Sequence, residues 1–269
     1  MPSTYSQINC LGGIDIVEAK YNDEVFPKHI HEGYAIGTVL NGAQRFFYKG
    51  GNHTSTLGEL VVVNADTVHT GESASEGGWK YKAIYPTPEQ INKALVEYGS
   101  EQSFSPSFDK PSLTTPDLVI HLNQVFQSHE LNYPTLMTES LLVTFFMKLL
   151  TQTGNTAPTQ PKSSATSNVA KVKDFIFEYS HLDIKLDELA NLSGLGKFNL
   201  LRQFKHEVGI TPHQYQIQIR LRKAVHLLKE NTLPIDVAMA CGFYDQSHFN
   251  NHFKKTFGTT PKRYFNSQL

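Results

Sequence analysis

LDELANLSGLGKFNLLRQFKHEVGITPHQY, residues 186–215, and PIDVAMACGFYDQSHFNNHFKKTFGTTPKRY, residues 234–264, are two copies of one pattern. Phe204-Lys205, Gly209, Thr211-Pro212 and Tyr215 of the first copy recur 49 residues later as Phe253-Lys254, Gly258, Thr260-Pro261 and Tyr264. Gly194 stands ten residues ahead of Phe204, and Gly242 eleven ahead of Phe253. Ala190 and Ala238 each precede their glycine by four. A short helix, a glycine turn and a second helix with an apolar stripe is the helix-turn-helix plan, whose second helix enters a DNA major groove. Two copies predict a chain that reads two neighbouring groove segments. They are too few for a solenoid.

The reading helices are expected over 196–207 and about 245–257. Leu200, Phe204 and Val208 in the first, and Phe249, Phe253 and Phe257 in the second, recur at four-residue spacing and are expected core. The opposite faces are polar: Lys197, Asn199, Arg202 and Lys205, then Gln246, Ser247, Asn250 and Asn251. Arginine pairs bidentately with guanine, and asparagine or glutamine with adenine. Lys205, Lys254, Lys255, Arg220, Arg222, Lys262 and Arg263 are expected at phosphates or in solvent, positioning the protein without specifying sequence. Thr211 as N-cap with Pro212 at the first helical position starts a long helix between the units. Its face carries Ile217, Leu221, Ala224 and Leu228, and Leu233-Pro234 opens the second unit. Ahead of the repeat, Val169, Val172, Phe175, Ile176 and Tyr179 form another helical stripe.

Charge divides the chain in the same place. Residues 1–168 carry 10 Lys+Arg against 16 Asp+Glu, whereas residues 169–269 carry 14 against 9. The repeated motif therefore lies in the basic part, and a basic surface attracts phosphate. Two cysteines, Cys10 and Cys241, exclude a disulfide framework and fit a reducing cytoplasm. The sequence shows no basic-then-apolar leader and no apolar run long enough to span a membrane.

Residues 151–168, TQTGNTAPTQPKSSATSN, contain nothing more apolar than alanine and read as a flexible linker. As a coil they would span roughly 23 Å root-mean-square. Residues 8–86 are rich in Val, Ile, Tyr, Phe and Gly, with turn signals at Gly12-Gly13, Asn41-Gly42, Gly50-Gly51-Asn52 and Gly77-Gly78. Such spacing predicts a β-sandwich or small barrel. Two helices follow over 117–130 and 134–152, with Pro134 suited to the first turn of the second. That second helix carries Leu136, Leu141, Leu142, Phe145, Phe146, Leu149 and Leu150, enough for one face on the sheet and another for a partner.

Pro27-Lys28-His29-Ile30-His31 places two histidines at i and i+2, on one face if this is a strand. His69 follows the apolar run from Leu60 to Val63. Three imidazoles converging in a barrel would hold zinc, iron or manganese, the chemistry of a metal enzyme or metal sensor. They would equally serve as polar groups in a small-molecule pocket, with Tyr34, Arg45 and Phe47 as further lining and Arg45 as a fork for a carboxylate.

Over about 170–266 the chain resembles the AraC/XylS family of bacterial transcription regulators. Gly242-Phe243, Asp245-Gln246-Ser247, Phe249, Phe253 and Gly258-x-x-Pro261 lie close to that family's signature. The resemblance implies two helix-turn-helix units joined by a long helix, bound along one face of DNA in successive major-groove turns. It places Lys197, Phe198, Leu201 and Arg202 against bases from the first unit, and Gln246, Ser247, His248 and Asn251 from the second. Phe198 and Leu201 offer only apolar contact, so hydrogen-bonded readout by the first unit rests mainly on Arg202.

The N-terminal half resembles the cupin-type ligand-binding domain that commonly precedes this DNA-binding domain. The cupin metal pattern follows His-x-His with a glutamate. Here Tyr34, Ala35 and Ile36 occupy those places, which favours an organic effector over a metal. The expected fold class is α+β multidomain, a cupin-like β-barrel with a helical pair followed by an all-α domain with two helix-turn-helix motifs. The expected domains are 1–150 for effector binding and dimerisation, 151–168 as linker and 169–269 for DNA binding. Expected partners are double-stranded DNA, a small-molecule effector, a second copy of the chain and RNA polymerase. No membrane, no cofactor and no enzymatic activity are expected. Activation is the expected output, because most members of the family activate.

Overall fold

A computed structural model describes residues 3–97, 106–153 and 167–267. These fall into two compact units, one built on 3–25 and 31–153, the other on 167–267 together with segment 26–30. Most of that segment is a strand hydrogen-bonded into the sheet, and it is described there. The central part of the expected linker, residues 154–166, lies outside the described residues. Among the described residues no helix is long and apolar enough to cross a membrane.

The first unit runs β1 (Thr4–Ile8), β2 (Ile14–Tyr21), β3 (Phe26–His29), β4 (Ala35–Tyr48), β5 (Gly51–Thr56), β6 (Leu60–Val63), β7 (His69–Ser73), β8 (Trp79–Tyr85), α1 (Pro88–Glu97), β9 (Ser112–Leu113), α2 (Pro116–Glu130) and α3 (Thr135–Thr153). The strands form a nine-stranded cupin-like sheet along the path β1-β2-β8-β4-β6-β9, with β5 and β7 on β4 and β3 on β7. β4 organises it. Residues 35–42 pair with β6 and β8, and residues 43–48 with β5 and β7.

Asn41-Gly42, expected as a turn, lies inside β4 instead. The register with β8 shifts between Val39 and Asn41, and Gly42 takes φ +73° there. A Cβ on Gly42 would sit 2.1 Å from the carbonyl oxygen of Gly78, so no larger residue fits. The bulge changes which side chains face inward, because side chains alternate along a strand. Before it, Ile36 joins the core beneath the helices. After it, Phe46 and Tyr48 cluster with Val63, Ala35 and Val61 on the other face.

The first face carries Ile14, Ile16, Ile36, Leu60, Val62 and Ile84. It is covered by Ile91 and Leu95 of α1, Leu118, Leu122 and Phe126 of α2, and Leu142, Phe145, Phe146 and Leu149 of α3. Burial of each such side chain contributes on the order of 1.5–3 kcal/mol. Lys82, almost fully buried on this face, pairs with Glu130 of α2 and with Glu18 of β2 at 3.5 Å, and lies over the Phe126 ring. α1 and β9 were not anticipated. α3 begins one residue after Pro134, whose carbonyl accepts from Met137 N and Thr138 N.

The second unit is all helical: α4 (Asn168–Tyr179), α5 (Leu186–Ser193), α6 (Lys197–Val208), α7 (Pro212–Lys229), α8 (Pro234–Ala240), α9 (Gln246–Phe257) and α10 (Pro261–Asn266). Val172, Ile176, Leu189, Leu200 and Phe204 are buried ahead of α7, and Val237, Phe249, Phe253 and Tyr264 are buried after it. Ile217, Leu221, Ala224 and Leu228 of α7 are themselves buried, as their spacing requires.

Candidate nucleic-acid interface and ligand site

The repeated residues make the same structure twice. α6 and α9 are each twelve residues long, and each ends at a left-handed glycine, Gly209 at φ +87° and Gly258 at φ +71°. Each following helix starts from a threonine N-cap and a proline. The Thr211 hydroxyl accepts from Gln214 N, and the Thr260 hydroxyl from Arg263 N. These bonds satisfy backbone donors that a helix start would otherwise leave open. Phe204 meets Tyr215 with ring centroids 5.7 Å apart at 67°, and Phe253 meets Tyr264 at 5.6 Å and 69°. Edge-on aromatic contact of this kind fixes how each reading helix sits on the next one.

The turns ahead of the reading helices differ. Gly194 is left-handed at φ +68°, with open space where a Cβ would go. Gly242, at φ +78°, has the His181 carbonyl oxygen 2.1 Å from that position. The second turn thus requires glycine for space as well as for backbone angle.

With the stripes Leu200–Phe204 and Phe249–Phe253 buried, the opposite faces stand in solvent. Lys197, Phe198, Arg202 and Lys205 are exposed on α6, Phe198 to 75 %, and Leu201 is half-buried. Lys197 pairs with Asp187 of α5 at 2.6 Å. On α9, Gln246, Ser247, Asn251 and Lys254 are exposed, while His248 is half-buried between Phe243 and His252. Asp245 caps α9 by accepting from His248 N at 2.7 Å. Burial and the nearby His248, Lys255 and His213 hold the His252 imidazole below its ordinary pKa.

Arg220, expected at a phosphate or in solvent, is engaged with backbone carbonyls instead. Its Nε donates to Ser180 O at 2.6 Å and its guanidinium NH2 to Leu182 O at 2.9 Å, beside Gln216, which donates to the same two carbonyls. The fork is occupied in holding the turn between α4 and α5. Tyr244, one residue ahead of the cap of α9, is 93 % exposed.

In the sheet, His29, His31 and His69 come together, each offering a ring nitrogen within 4.8 Å of the others. His31 lies beyond the end of β3, so the convergence does not come from strand alternation alone. The Nδ1 of His29 donates to Pro27 O at 2.7 Å, and that of His69 to Thr67 O at 2.9 Å. The His31 ring lies 5.0 Å from both the His69 and the Tyr85 rings. Tyr85 continues into Tyr81, Trp79 and Tyr21, a band of rings in contact. Burial raises the phenol of Tyr21 to about 12, and that of Tyr81 well above its ordinary value, so both stay protonated donors. This band was missed, although the alternation in Trp79-Lys80-Tyr81-Lys82 carries its signal.

Three expected lining residues lie elsewhere. Tyr34 is buried in the core beneath the helices, its hydroxyl donating to Pro106 O at 2.7 Å and its ring edge-on to Phe108. Arg45 is exposed and pairs with Glu72 at 2.6 Å, so its fork already holds a carboxylate of this chain. Phe47 shares the Arg45 side of β4, opposite Phe46 and Tyr48, as strand alternation requires.

Comparison with known proteins agrees with both halves. The AraC-like ligand binding domain model matches residues 11–145, and a helix-turn-helix domain model matches 189–267. The chain is 28% identical over 223 residues to the uncharacterized HTH-type transcriptional regulator YbfI of Bacillus subtilis, covering 83% of this chain and 81% of that one. It is 25% identical over 255 residues to the HTH-type transcriptional activator RhaS of Escherichia coli, covering 91% and 90%. The crystal structure of ToxT from Vibrio cholerae superposes with TM-score 0.60 at 13% identity, over 95% of this chain and 97% of ToxT.

Proposed function

The chain belongs to the AraC family of DNA-binding transcription regulators with an N-terminal ligand-binding domain, and from that premise we propose how this member works. It is a cytoplasmic activator that reads two successive major-groove segments with α6 and α9 and takes its signal from a small molecule in the sheet unit. The observation that carries the reading is the doubled brace, Phe204 on Tyr215 and Phe253 on Tyr264, which presents two polar helix faces alike. Arg202 and Gln246 supply the bidentate base contacts, with Lys197, Phe198, Leu201, Ser247, His248 and Asn251 beside them. Lys205 and Lys254 neutralise phosphates.

Residues 1–150 form the effector and dimerisation domain, 151–168 the linker and 169–269 the DNA-binding domain. The effector binds near His29, His31 and His69 and the tyrosine band. The outer face of α3, where Leu136 is 76 % exposed beside Met137, packs against a second copy. Activation implies contact with RNA polymerase once the protein is on its promoter, and no catalytic role is assigned. The effector controls output only as far as it binds one arrangement of the protein better than another. Selection of genomic DNA fragments by the purified full-length protein, followed by sequencing, tests the reading. An enriched motif with two segments about one helical turn apart is expected. Absence of any enriched motif, with and without extracts of the cell's small molecules, would overturn it.

A further inference from the structure

We propose that Arg220 is a positioning residue that locks the second helix-turn-helix onto the first, so that the protein discriminates operators by the number of base pairs between their two segments. The inference rests on the reading of α6 and α9 as the DNA-reading helices, and it adds a residue that sets their separation without touching a base.

Three consecutive carbonyls of the turn between α4 and α5 are divided between two halves of the helical unit. Those of Ser180 and Leu182 accept from α7. Gln216 Nε2 donates to both, at 3.0 and 2.8 Å, and Arg220 does so again with Nε at 2.6 Å and Nη2 at 2.9 Å. The carbonyl between them, that of His181, lies against Gly242 in the turn between α8 and α9, where a Cβ would come within 2.1 Å of it. The turn that leads into the first reading unit is thus pressed against the turn of the second. Arg220 closes the junction from α7. Its guanidinium carbon lies 5.9 Å from the centre of the Phe243 ring, and Phe243 packs on Phe249 of α9 at 5.0 Å. One side chain therefore meets the entrance to the first unit and the foot of the second reading helix.

Without that junction the chain has a ready place to bend. α7 ends at Lys229 and α8 begins at Pro234, and between them Asn231 sits at φ +63°. Hinges are a few loop or element-end residues of this kind. Arginine suits the lock better than lysine does. Its planar fork reaches two carbonyls and its flat face covers an aromatic ring, whereas lysine brings one compact ammonium. A phosphate contact at the same position would need the charge but not the fork. The consequence for DNA is geometric. Each base pair advances the duplex by about 3.4 Å and turns it by about 35°. Two helices held at one separation therefore lose one of their segments when a base pair is inserted between the two.

The test compares full-length wild type with Arg220→Met and Arg220→Lys in two readouts. Gln216 still serves both carbonyls in either variant, which keeps the turn satisfied. Arg220→Lys, the milder change, remains informative if Arg220→Met loses its fold by circular dichroism. First, spin labels on Glu207→Cys of α6 and Met239→Cys of α8, both exposed, report the distance between the two units by double electron–electron resonance without DNA. Dilution with unlabelled protein restricts the signal to distances within one chain. Cys10 and Cys241 are buried, with thiols pushed up to about 11, and stay unlabelled. A narrow distribution is expected in the wild type and one about twofold broader in both variants. Second, anisotropy titrations compare the selected operator with a version carrying one inserted base pair between its segments. The wild type is expected to lose about tenfold or more and each variant about threefold or less, with the salt slope unchanged. Rescue by lysine together with a salt slope about one smaller in Arg220→Met would make Arg220 a phosphate contact and overturn the proposal. So would equal spacing penalties in the three proteins, or label distributions of equal width. The label distances need no operator, so they decide the lock even where the DNA selection fails, and the two readings fail separately.

Discussion

Gly242 and Gly194 hold matching places in the repeat, yet their surroundings differ. Both sit at positive φ, where an added Cβ costs roughly 1–2 kcal/mol. Only at Gly242 would the new atom meet a backbone oxygen, that of His181. Gly194→Ala is therefore expected to lower stability by about 1 kcal/mol and Gly242→Ala by several times as much, in chemical denaturation of the full chain. Equal losses would mean that the second turn relaxes freely. At the reading surface, Arg202→Ala and Gln246→Ala are each expected to cost on the order of 1–3 kcal/mol on the selected operator and to relax base preference locally. Wild-type affinity in both would show that other residues face the bases. His252 gives a pH dependence with a definite sign. Its folded pKa lies below the ordinary 6.5, so the unfolded chain binds the proton more readily. Stability is full above about pH 6.5 and declines as pH falls through and below it. The melting temperature of His252→Gln should depend less on pH there than that of the wild type.

Among the elements, what the sequence made legible was what is held locally. The ends of α6, α7 and α9 follow from Gly209, Thr211-Pro212 and Asp245, each acting on a neighbour within a few residues. Thr211→Ala should cost about 1 kcal/mol through loss of the cap, with the Gln214 backbone N–H left without the Thr211 hydroxyl, measurable by urea denaturation. A wild-type midpoint would assign the helix start to Pro212 alone. The sheet was less legible because its decisive facts are distant in sequence. Asn41-Gly42 has the composition of a turn, and only pairing with β8 shows it to be a bulge. Arg45 meets Glu72 and Tyr34 meets Pro106 across long stretches of chain. The histidines were recognisable by residue type, but not their distances or the carbonyls that orient them. The engagement of Arg220 was hidden for the same reason, since its carbonyl partners lie 38 and 40 residues away.

At the scale of the whole molecule, charge and repetition point the same way. The basic C-terminal part predicts that residues 169–269 bind DNA alone, with affinity falling steeply as salt rises from about 50 to 200 mM. Filter binding or fluorescence anisotropy over that range measures the slope, and a flat response would remove the phosphate contacts from the account. The two matching braces have a further consequence for how a promoter is read. Two copies set in tandem within one chain, and bearing unlike outward residues, give a single molecule a head and a tail on DNA. Its site need not be a palindrome, and inverting the site would turn the bound protein to face the other way along the gene. Exchanging the outward side chains of α6 and α9 would leave the scaffold intact and transpose the two halves of the preferred sequence.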